Sequence, residues 1–281
     1  MDFQLASRCI DLARELTQLH AGSTPPFSLD PLVQHFGITE VRERPLDRDA
    51  RLIRESGQLF IEVNSLFPLV RRRLSIAHEI GHLIVSHCSG VAVGHRRHED
   101  PFTEALCNQL AGRLLAPDWA LEMYFERETG LADWRSKVGC STIISAASKF
   151  AISVDAAASR ICRELGLAPH SAAIIWRNRE NSVRPGSEKV LRIASSWHSR
   201  GNSIYIPQNK TAPESSVIMK ASRQGGVFSA VEDLSLGTLR GWWQVEALGF
   251  GPYSNRTGTE GVRSVLSLAS PLCGATFSTA N

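Results

Sequence analysis

The sequence predicts an α+β protein whose helices and strands are concentrated in different parts of the chain. In residues 1–125, helical apolar spacing is interrupted by one hairpin pattern, and residues 126–170 show several short helical patterns. From 171 to 281, short apolar runs alternate with Gly, Ser, Asn and Pro, as in β-rich domains. Runs of helices followed by runs of strands are typical of α+β proteins. We therefore expect three parts with these bounds.

The composition is that of a globular protein without a strong preference for one class of partner. The chain has 281 residues, is 43% hydrophobic and 21% charged, and carries a formal net charge of +3, which does not indicate a uniformly basic nucleic-acid binder. The basic excess lies from Ser171 onward, where the sequence holds 12 Lys and Arg against 7 Asp and Glu. This excess is consistent with an acidic partner, although a solvated surface explains it more simply.

The sequence predicts neither a targeting segment nor a membrane span. The N-terminus lacks a basic stretch followed by an apolar core, and no run of 18 apolar residues occurs. The six cysteines form no CxxC pair and are expected to be reduced thiols. We therefore expect a cytoplasmic protein that does not insert into a membrane.

Four helices are predicted in the first part of the chain. Amphipathic spacing predicts helices over residues 3–19, 71–87 and 102–115. Ser28 is a candidate cap for a further short helix, which Gly37 ends.

A hairpin and a helix-turn-helix pattern complete the predicted elements before residue 170. Residues 50–63 form two apolar runs on either side of a Ser-Gly turn, which predicts the hairpin. Residues 142–150 and 154–165 predict two helices joined by a short turn. Ser153 suits the N-cap of the second helix, and Gly166 suits the position just after its end.

The β-rich character of the last part depends on seven short apolar runs separated by turn residues. They lie at 172–176, 190–194, 203–206, 216–219, 227–231, 242–248 and 262–268.

The strongest functional signal is the segment His78-Glu79-Ile80-Gly81-His82. Two histidines four positions apart lie one turn apart on one helix face, so both imidazoles can bind the same metal ion. Glu79 lies beside that face, where it can act as a general base without being a ligand. Gly81 costs a helix about 1 kcal/mol relative to Ala, and close approach of another backbone would explain it. The alternative is a surface helix with two hydrogen-bonded histidines.

A catalytic zinc site needs three protein ligands and an open position, so a third ligand is expected from a neighbouring element. Glu104, near the start of the next predicted helix, is the best candidate. Asn108 lies one turn later and can hydrogen-bond the second ring nitrogen of a ligand histidine. The competing candidates are His87, His95, His98, Glu99 and Asp100. A His2Glu site accepts manganese as well as zinc.

Two blocks of sequence around these residues resemble a known protein family. Residues 72–82 are R-R-L-S-I-A-H-E-I-G-H, and residues 104–117 are E-A-L-C-N-Q-L-A-G-R-L-L-A-P. They are similar to the two segments typical of the ImmA/IrrE family of metallo-endopeptidases, R-R-F-T-x-A-H-E-x-G-H and E-x-x-A-N-x-F-A-x-x-L-L-x-P. The departures are core-type changes at Leu74, Ser75, Cys107 and Leu110. The resemblance extends over about residues 25–120, and every ligand position is intact.

The resemblance implies a minimal zincin-like domain over 1–125, with zinc held by His78, His82 and Glu104 and with Glu79 as the general base. It also implies an endopeptidase with a protein substrate. Members of this family cut helix-turn-helix repressors and so relieve repression during stress or mobile-element induction. Longer members carry a helix-turn-helix-like segment and then a GAF-like domain, which leads us to expect a GAF-like sensor over 171–281.

Two other functions are compatible with parts of the sequence. The helix-turn-helix pattern could bind DNA, since its second helix carries Arg160 and Arg163. That helix is otherwise poor in base-reading side chains, which disfavours DNA binding. The second alternative is an anti-repressor that binds its target without cutting it. The intact Glu79 argues against this function, because binding alone needs no general base.

Overall fold

The α+β class predicted from the sequence is confirmed by a computed structural model of the chain. The structure describes residues 3–20, 22, 24–91, 100–167, 171–181, 184–199, 205–251 and 264–272. Within these residues the α-helices, in chain order, are α1 Phe3–His20, α2 Asp30–His35, α3 Leu69–Ser89, α4 Pro101–Leu115, α5 Asp118–Thr129, α6 Cys140–Phe150, α7 Val154–Ser159 and α8 Val217–Gln224. A 3-10 turn spans Trp134–Ser136, and a π-helix spans Arg160–Gly166.

The strands form two separate sheets. They are β1 Ile38–Arg44, β2 Ala50–Glu55, β3 Gln58–Asn64, β4 Ala172–Arg179, β5 Val190–His198, β6 Gly226–Leu236, β7 Leu239–Phe250 and β8 Ser264–Pro271. The first three strands form one sheet in the order β1-β3-β2, and the others form a second sheet in the order β5-β4-β8-β7-β6.

The chain divides into two compact units. Unit 1 comprises Met1–Tyr124 and Ala146–Ala156, and unit 2 comprises Phe125–Ser145 and Ala157–Asn281. The residues of the segment 126–170, predicted as one part, are distributed over both units.

Unit 1 contains the small sheet and the helices that pack beside it. β3 is central, pairing in parallel with β1 and antiparallel with β2. The predicted hairpin is confirmed as β2 and β3, and its turn residues Ser56 and Gly57 both have positive φ angles. β1 was not predicted, because it pairs in parallel with a strand that follows it at a distance and has no turn signal of its own.

The predicted helices of unit 1 are confirmed with small shifts at their ends. The observed helices α1, α3 and α4 match the predictions at 3–19, 71–87 and 102–115. The short helix α2 begins at Asp30, and the hydroxyl of Ser28 accepts a hydrogen bond from the Asp30 N–H. The expected cap therefore lies two residues before the first helical residue, and Leu29 occupies the N-cap position. Helices α1, α3 and α4 pack on one another and bury apolar side chains, including Ala13, Ile84 and Leu110.

The helix-turn-helix spacing is present, but its second helix is irregular. Ser153 caps α7 by accepting a hydrogen bond from the Ala156 N–H at 3.0 Å, as expected. After Ser159 the chain continues as a π-helix, whose last residue is Gly166 with a φ of +78°. Arg160 is 2% exposed and forms an ion pair with Glu164. A buried, paired arginine is poorly placed to contact a DNA backbone or base.

Unit 2 is built around its five-stranded antiparallel sheet. One face buries apolar side chains that form a continuous core, among them Trp176, Ile193, Leu234, Trp243 and Val265. Four of the predicted apolar runs lie in strands, and the described part of a fifth, 262–268, lies in β8. The run at 216–219 lies instead at the start of helix α8, and the run at 203–206 falls partly outside the described residues. Four apolar residues cannot by themselves distinguish a strand from a short amphipathic helix.

The described residues include no helix that is both long enough and apolar enough to cross a bilayer.

Candidate metal centre

The candidate centre lies where helices α3 and α4 approach each other closely. A Cβ atom added at Gly81 would lie 3.2 Å from the Cα and 3.2 Å from the carbonyl oxygen of Cys107. These contacts are tighter than ordinary van der Waals distances, so a side chain at position 81 would require Cys107 to move by a few tenths of an ångström. The expectation that another backbone approaches Gly81 is confirmed. This approach brings the HExxH face of α3 against the first turns of α4.

The close approach brings together the three residues that the sequence analysis selected as ligands. The Nε2 atoms of His78 and His82 are 3.2 Å apart. Glu104 places Oε2 3.2 Å from His78 Nε2 and Oε1 3.4 Å from His82 Nε2. Among the described residues, this is the one group of three or more His, Cys, Asp or Glu side chains that could hold a metal ion.

Asn108 lies one helical turn beyond Glu104 and contacts the other side of His78. Its Oδ1 atom is 3.0 Å from His78 Nδ1. An amide oxygen can only accept a hydrogen bond, so His78 Nδ1 carries the proton and Nε2 keeps its lone pair. The tautomer that this contact selects is the one able to bind a metal through Nε2.

Glu79 lies beside the ligand group and is 8% exposed. The pKa of its carboxyl group is raised from 4.5 to about 7, mainly by burial and also by the negative charge of Glu104. A hydrogen bond from the Leu52 N–H and the positive charge of Arg48 act in the opposite direction. A carboxyl group with a pKa near 7 can both accept and release a proton at neutral pH, as a general base that later acts as an acid must do.

Strand β2 and the loop before it are held against this site by specific contacts. Asp49 binds Arg71 of α3 through two hydrogen bonds of 2.9 and 3.0 Å. Asn64 is 2% exposed and donates from Nδ2 to the carbonyl oxygens of Leu46 and Arg48 at 2.7 and 3.0 Å. These contacts tie the start of β2 to the beginning of α3 and to the end of β3.

The geometry of the three candidate ligands fits a tetrahedral metal ion. Ligand atoms that lie about 2.1 Å from a zinc ion in tetrahedral geometry are about 3.4 Å from one another. The two Nε2 atoms are 3.2 Å apart, and they lie 3.2 and 3.4 Å from the two different oxygens of Glu104. One ligand atom from each of the three residues thus lies within 4.8 Å of the other two. Two imidazole nitrogens and one carboxylate oxygen form a donor set suited to zinc.

The competing ligand candidates are not part of this group. His87 is exposed in the last turn of α3. Asp100 caps α4, because its carboxylate accepts hydrogen bonds from the backbone N–H groups of Phe102 and Thr103. His95, His98 and Glu99 lie outside the described residues.

The contributions of Leu52 and Arg48 to the site were not predicted from the sequence. Leu52 acts through its backbone N–H, a group that almost every residue type has, so the residue type gives no signal. Arg48 is one of many arginines between residues 42 and 73, and its position near Glu79 depends on contacts made by Asn64. Neither residue could be selected without the tertiary structure.

Comparisons with known proteins agree with the family that the motifs indicate. A family model described as "IrrE N-terminal-like domain", of the peptidase M78 type, matches residues 33–161. No curated protein matches the sequence. A solved structure of a Mycobacterium tuberculosis transcriptional regulator is similar with a TM-score of 0.59 and 13% identity, over 94% of this chain and 75% of that chain. At that identity the similarity concerns the fold alone. Residues 33–161 of the chain thus match an IrrE N-terminal-like domain of the peptidase M78 type, in agreement with the resemblance to the ImmA/IrrE family of metallopeptidases.

Proposed function

We propose that this chain is a zinc-dependent endopeptidase with a zincin-like catalytic domain. The observation that carries the proposal is the convergence of His78, His82 and Glu104 at ligand–ligand distances suited to zinc, with the Glu79 carboxyl group beside them. His78 and His82 would bind through Nε2, and Glu104 would bind through its carboxylate. A zinc ion held there supplies a Lewis acid that activates water and polarises the scissile carbonyl. Manganese could substitute for zinc at the same donors.

Glu79 performs the proton transfers of the proposed reaction. Its carboxylate accepts a proton from the attacking water and then gives that proton to the leaving amine. The Leu52 N–H holds the carboxylate in place, while burial keeps its pKa near neutrality. Asn108 keeps His78 in the tautomer that leaves Nε2 available as a ligand.

Strand β2 is suited to hold an extended peptide next to this site. It is an edge strand of its sheet, with β3 as its one partner among the described residues. An edge strand presents backbone groups that can pair with an added strand, and Leu52 of β2 already contacts Glu79. Such pairing depends on backbone groups alone, so β2 would bind an unfolded or extended segment of a protein substrate.

The proposed substrate is a helix-turn-helix transcriptional repressor, cut to relieve repression in a stress or mobile-element response. Two observations support this choice: the family assignment, and the similarity in fold to a protein that is named a transcriptional regulator. Repressors act on the chromosome, so the proposal places the reaction in the cytoplasm. Direct DNA binding by this chain is not part of the proposal, because Arg160 is buried in an ion pair.

We also propose that residues 171–281 form a GAF-like sensor domain. The five-stranded antiparallel sheet, with helix α8 packed against β7 and β6, supports this assignment. The domain would then control the protease rather than take part in the chemistry.

The test is a comparison of new protein N-termini in the native host, between cells that contain the wild type and cells that contain Glu79→Gln. Glutamine is close in size to glutamate but cannot accept the proton, so we expect the turnover rate to fall about 10²- to 10⁴-fold. A new N-terminus within a helix-turn-helix repressor should appear with the wild type and be absent with the variant. The purified variant should keep bound zinc, measured by atomic absorption.

Glu126→Gln is the matched control, because Glu126 is exposed on α5 and makes no side-chain contact with the candidate centre. It should behave as the wild type does. Identical N-termini in the wild type and Glu79→Gln, under every stress applied, would contradict the protease proposal and favour the binding-only anti-repressor.

A further inference from the structure

Two histidines of unit 1, outside the candidate metal centre, lie with their ring nitrogens in contact. His20 is the last residue of α1, and His35 is the last residue of α2, 15 positions later. The Nε2 atom of His20 is 3.3 Å from the Nδ1 atom of His35, and the two ring centroids are 5.1 Å apart. The end of one helix thus meets the end of the other through two imidazole rings.

The two helices are held in place by apolar side chains that lie elsewhere on them. Helix α1 buries Ala13 and Leu16. Helix α2 buries Leu32 and Val33 and leads into strand β1. The two helices also pack against each other. Packing therefore sets the distance between the helix ends, and the rings are brought together before any ligand binds.

The separation of the two nitrogens suits a shared metal ion. Two ligand atoms that lie about 2.1 Å from an ion in tetrahedral geometry are about 3.4 Å from each other, and the observed distance is 3.3 Å. His78 and His82 show nearly the same arrangement, with nitrogens 3.2 Å apart and ring centroids 4.9 Å apart. Either nitrogen of a neutral imidazole can bind a metal. The pair at the helix ends thus repeats the arrangement of the two histidines in the candidate centre.

The surroundings of the pair leave room for an ion. His35 is exposed and His20 is partly exposed, so water can fill the positions on an ion that the protein leaves open. The C-terminal end of α1 carries a partial negative charge, which favours a cation beside His20. The ring of His35 packs edge-on against Phe36, with centroids 5.1 Å apart, and this contact limits the orientations that the imidazole can adopt.

We propose that His20 and His35 form a second metal site, which takes a divalent late first-row transition-metal ion such as zinc or nickel. Imidazole nitrogens suit these ions. His20 would bind through Nε2 and His35 through Nδ1, and the other nitrogen of each ring would carry its proton. Without the ion, one ring donates a hydrogen bond to the other. The bound ion would fasten α1 to α2, whatever reaction the candidate centre catalyses.

The test is a calorimetric titration with nickel of the full-length chain that already holds one equivalent of zinc. We expect the wild type to bind a further equivalent of nickel. His20→Gln and His35→Gln should each lose this equivalent, because a single imidazole would remain. Nickel should also raise the thermal unfolding midpoint of the wild type and leave that of both variants unchanged. Circular dichroism spectra check that the variants fold as the wild type does.

Two further variants make the outcome decisive. His87→Gln is the matched control, because His87 is also exposed in the last turn of a helix, and it should bind nickel as the wild type does. Glu104→Gln should weaken zinc binding at the candidate centre and keep the nickel site, which separates the two proposals. No further equivalent in the wild type would overturn the second site and leave the contact as a hydrogen bond alone. A further equivalent that both His20→Gln and His35→Gln retain would also overturn it.

Discussion

At the scale of single residues, the candidate site depends on how the protein controls two protons. One is the proton of Glu79, whose pKa is raised mainly by burial. The other is the proton of His78, which is held on Nδ1 by Asn108. In both cases the controlling group lies on a different element from the residue it controls, and each case leads to a measurable effect.

The raised pKa of Glu79 predicts a pH-dependent stability in the metal-free protein. The folded-state pKa of about 7 exceeds the ordinary value of 4.5, so the protonated carboxyl group stabilises the folded state. This contribution is fully present below about pH 4.5 and is lost as the pH rises through about 7. Glu79→Gln has no proton to lose. With chelator present, the variant should match the wild type at low pH and exceed it by about 3 kcal/mol above pH 8.

The measurement is urea unfolding of both proteins between pH 4.5 and 8.5. Effects from groups that do not interact with Glu79 are shared by the two proteins and cancel in the difference. The effect of Glu104 does not cancel, because its charge acts on Glu79. A difference that stays constant with pH would contradict the buried, uncharged state of Glu79.

Asn108→Ala should weaken metal binding without removing a ligand. Without the Asn108 oxygen, the His78 ring loses the hydrogen bond that fixes its orientation and tautomer. Loss of such a contact typically lowers metal affinity 10- to 100-fold. Competition with a coloured zinc chelator measures this affinity. The neighbouring variant Gln109→Ala serves as the control. Equal zinc affinities of the two variants would show that Asn108 does not contribute to metal binding.

At the scale of elements, the important feature is the short distance between helices α3 and α4. The ligands come from both helices, so the distance between the backbones sets the ligand–ligand distances. Gly81 permits this approach against the backbone of Cys107. A residue that helix propensity alone disfavours is therefore explained by packing.

Gly81→Ala tests which of these effects dominates. Helix propensity predicts a gain of about 1 kcal/mol. The added methyl group would instead meet backbone atoms of Cys107 at 3.2 Å, and such overpacking typically costs about 1–3 kcal/mol. We expect a net loss of unfolding free energy in urea, together with weaker zinc binding because the helices separate.

His87→Ala is the control for this experiment, since His87 is exposed in the last turn of the same helix. Its effect should lie within about 0.5 kcal/mol. A Gly81→Ala protein more stable than the wild type would show that the helices can adjust and that close approach does not explain the glycine.

At the scale of the whole molecule, each of the two units has its own sheet, and the candidate metal centre lies in unit 1 between α3 and α4. In unit 2, Arg177 of β4 lies directly opposite Arg192 of β5. Both belong to the basic excess that the sequence shows after Ser171. Composition indicated the excess, and strand register determined that these two charges are neighbours.

Several features were predictable from the sequence because they depend on local spacing. The interval between His78 and His82 places both on one helix face, and the apolar period of α1, α3 and α4 follows from the same geometry. The Ser56-Gly57 turn located the hairpin, and a short loop between two helices made Glu104 and Asn108 reasonable partners for the histidines.

Other features were decided only by the tertiary structure. The parallel strand β1, the Leu52 N–H at Glu79 and the arginine pair across β4 and β5 join groups that are distant in sequence or belong to the backbone. Residues 216–219 form a helix because α8 packs Ile218 into the core of unit 2. The sequence by itself determined which side chains repeat on one face of an element, because that follows from 3.6 residues per helical turn or two per strand repeat. Packing decided which faces meet, and with them the distances and the pKa of Glu79 on which the proposed chemistry depends.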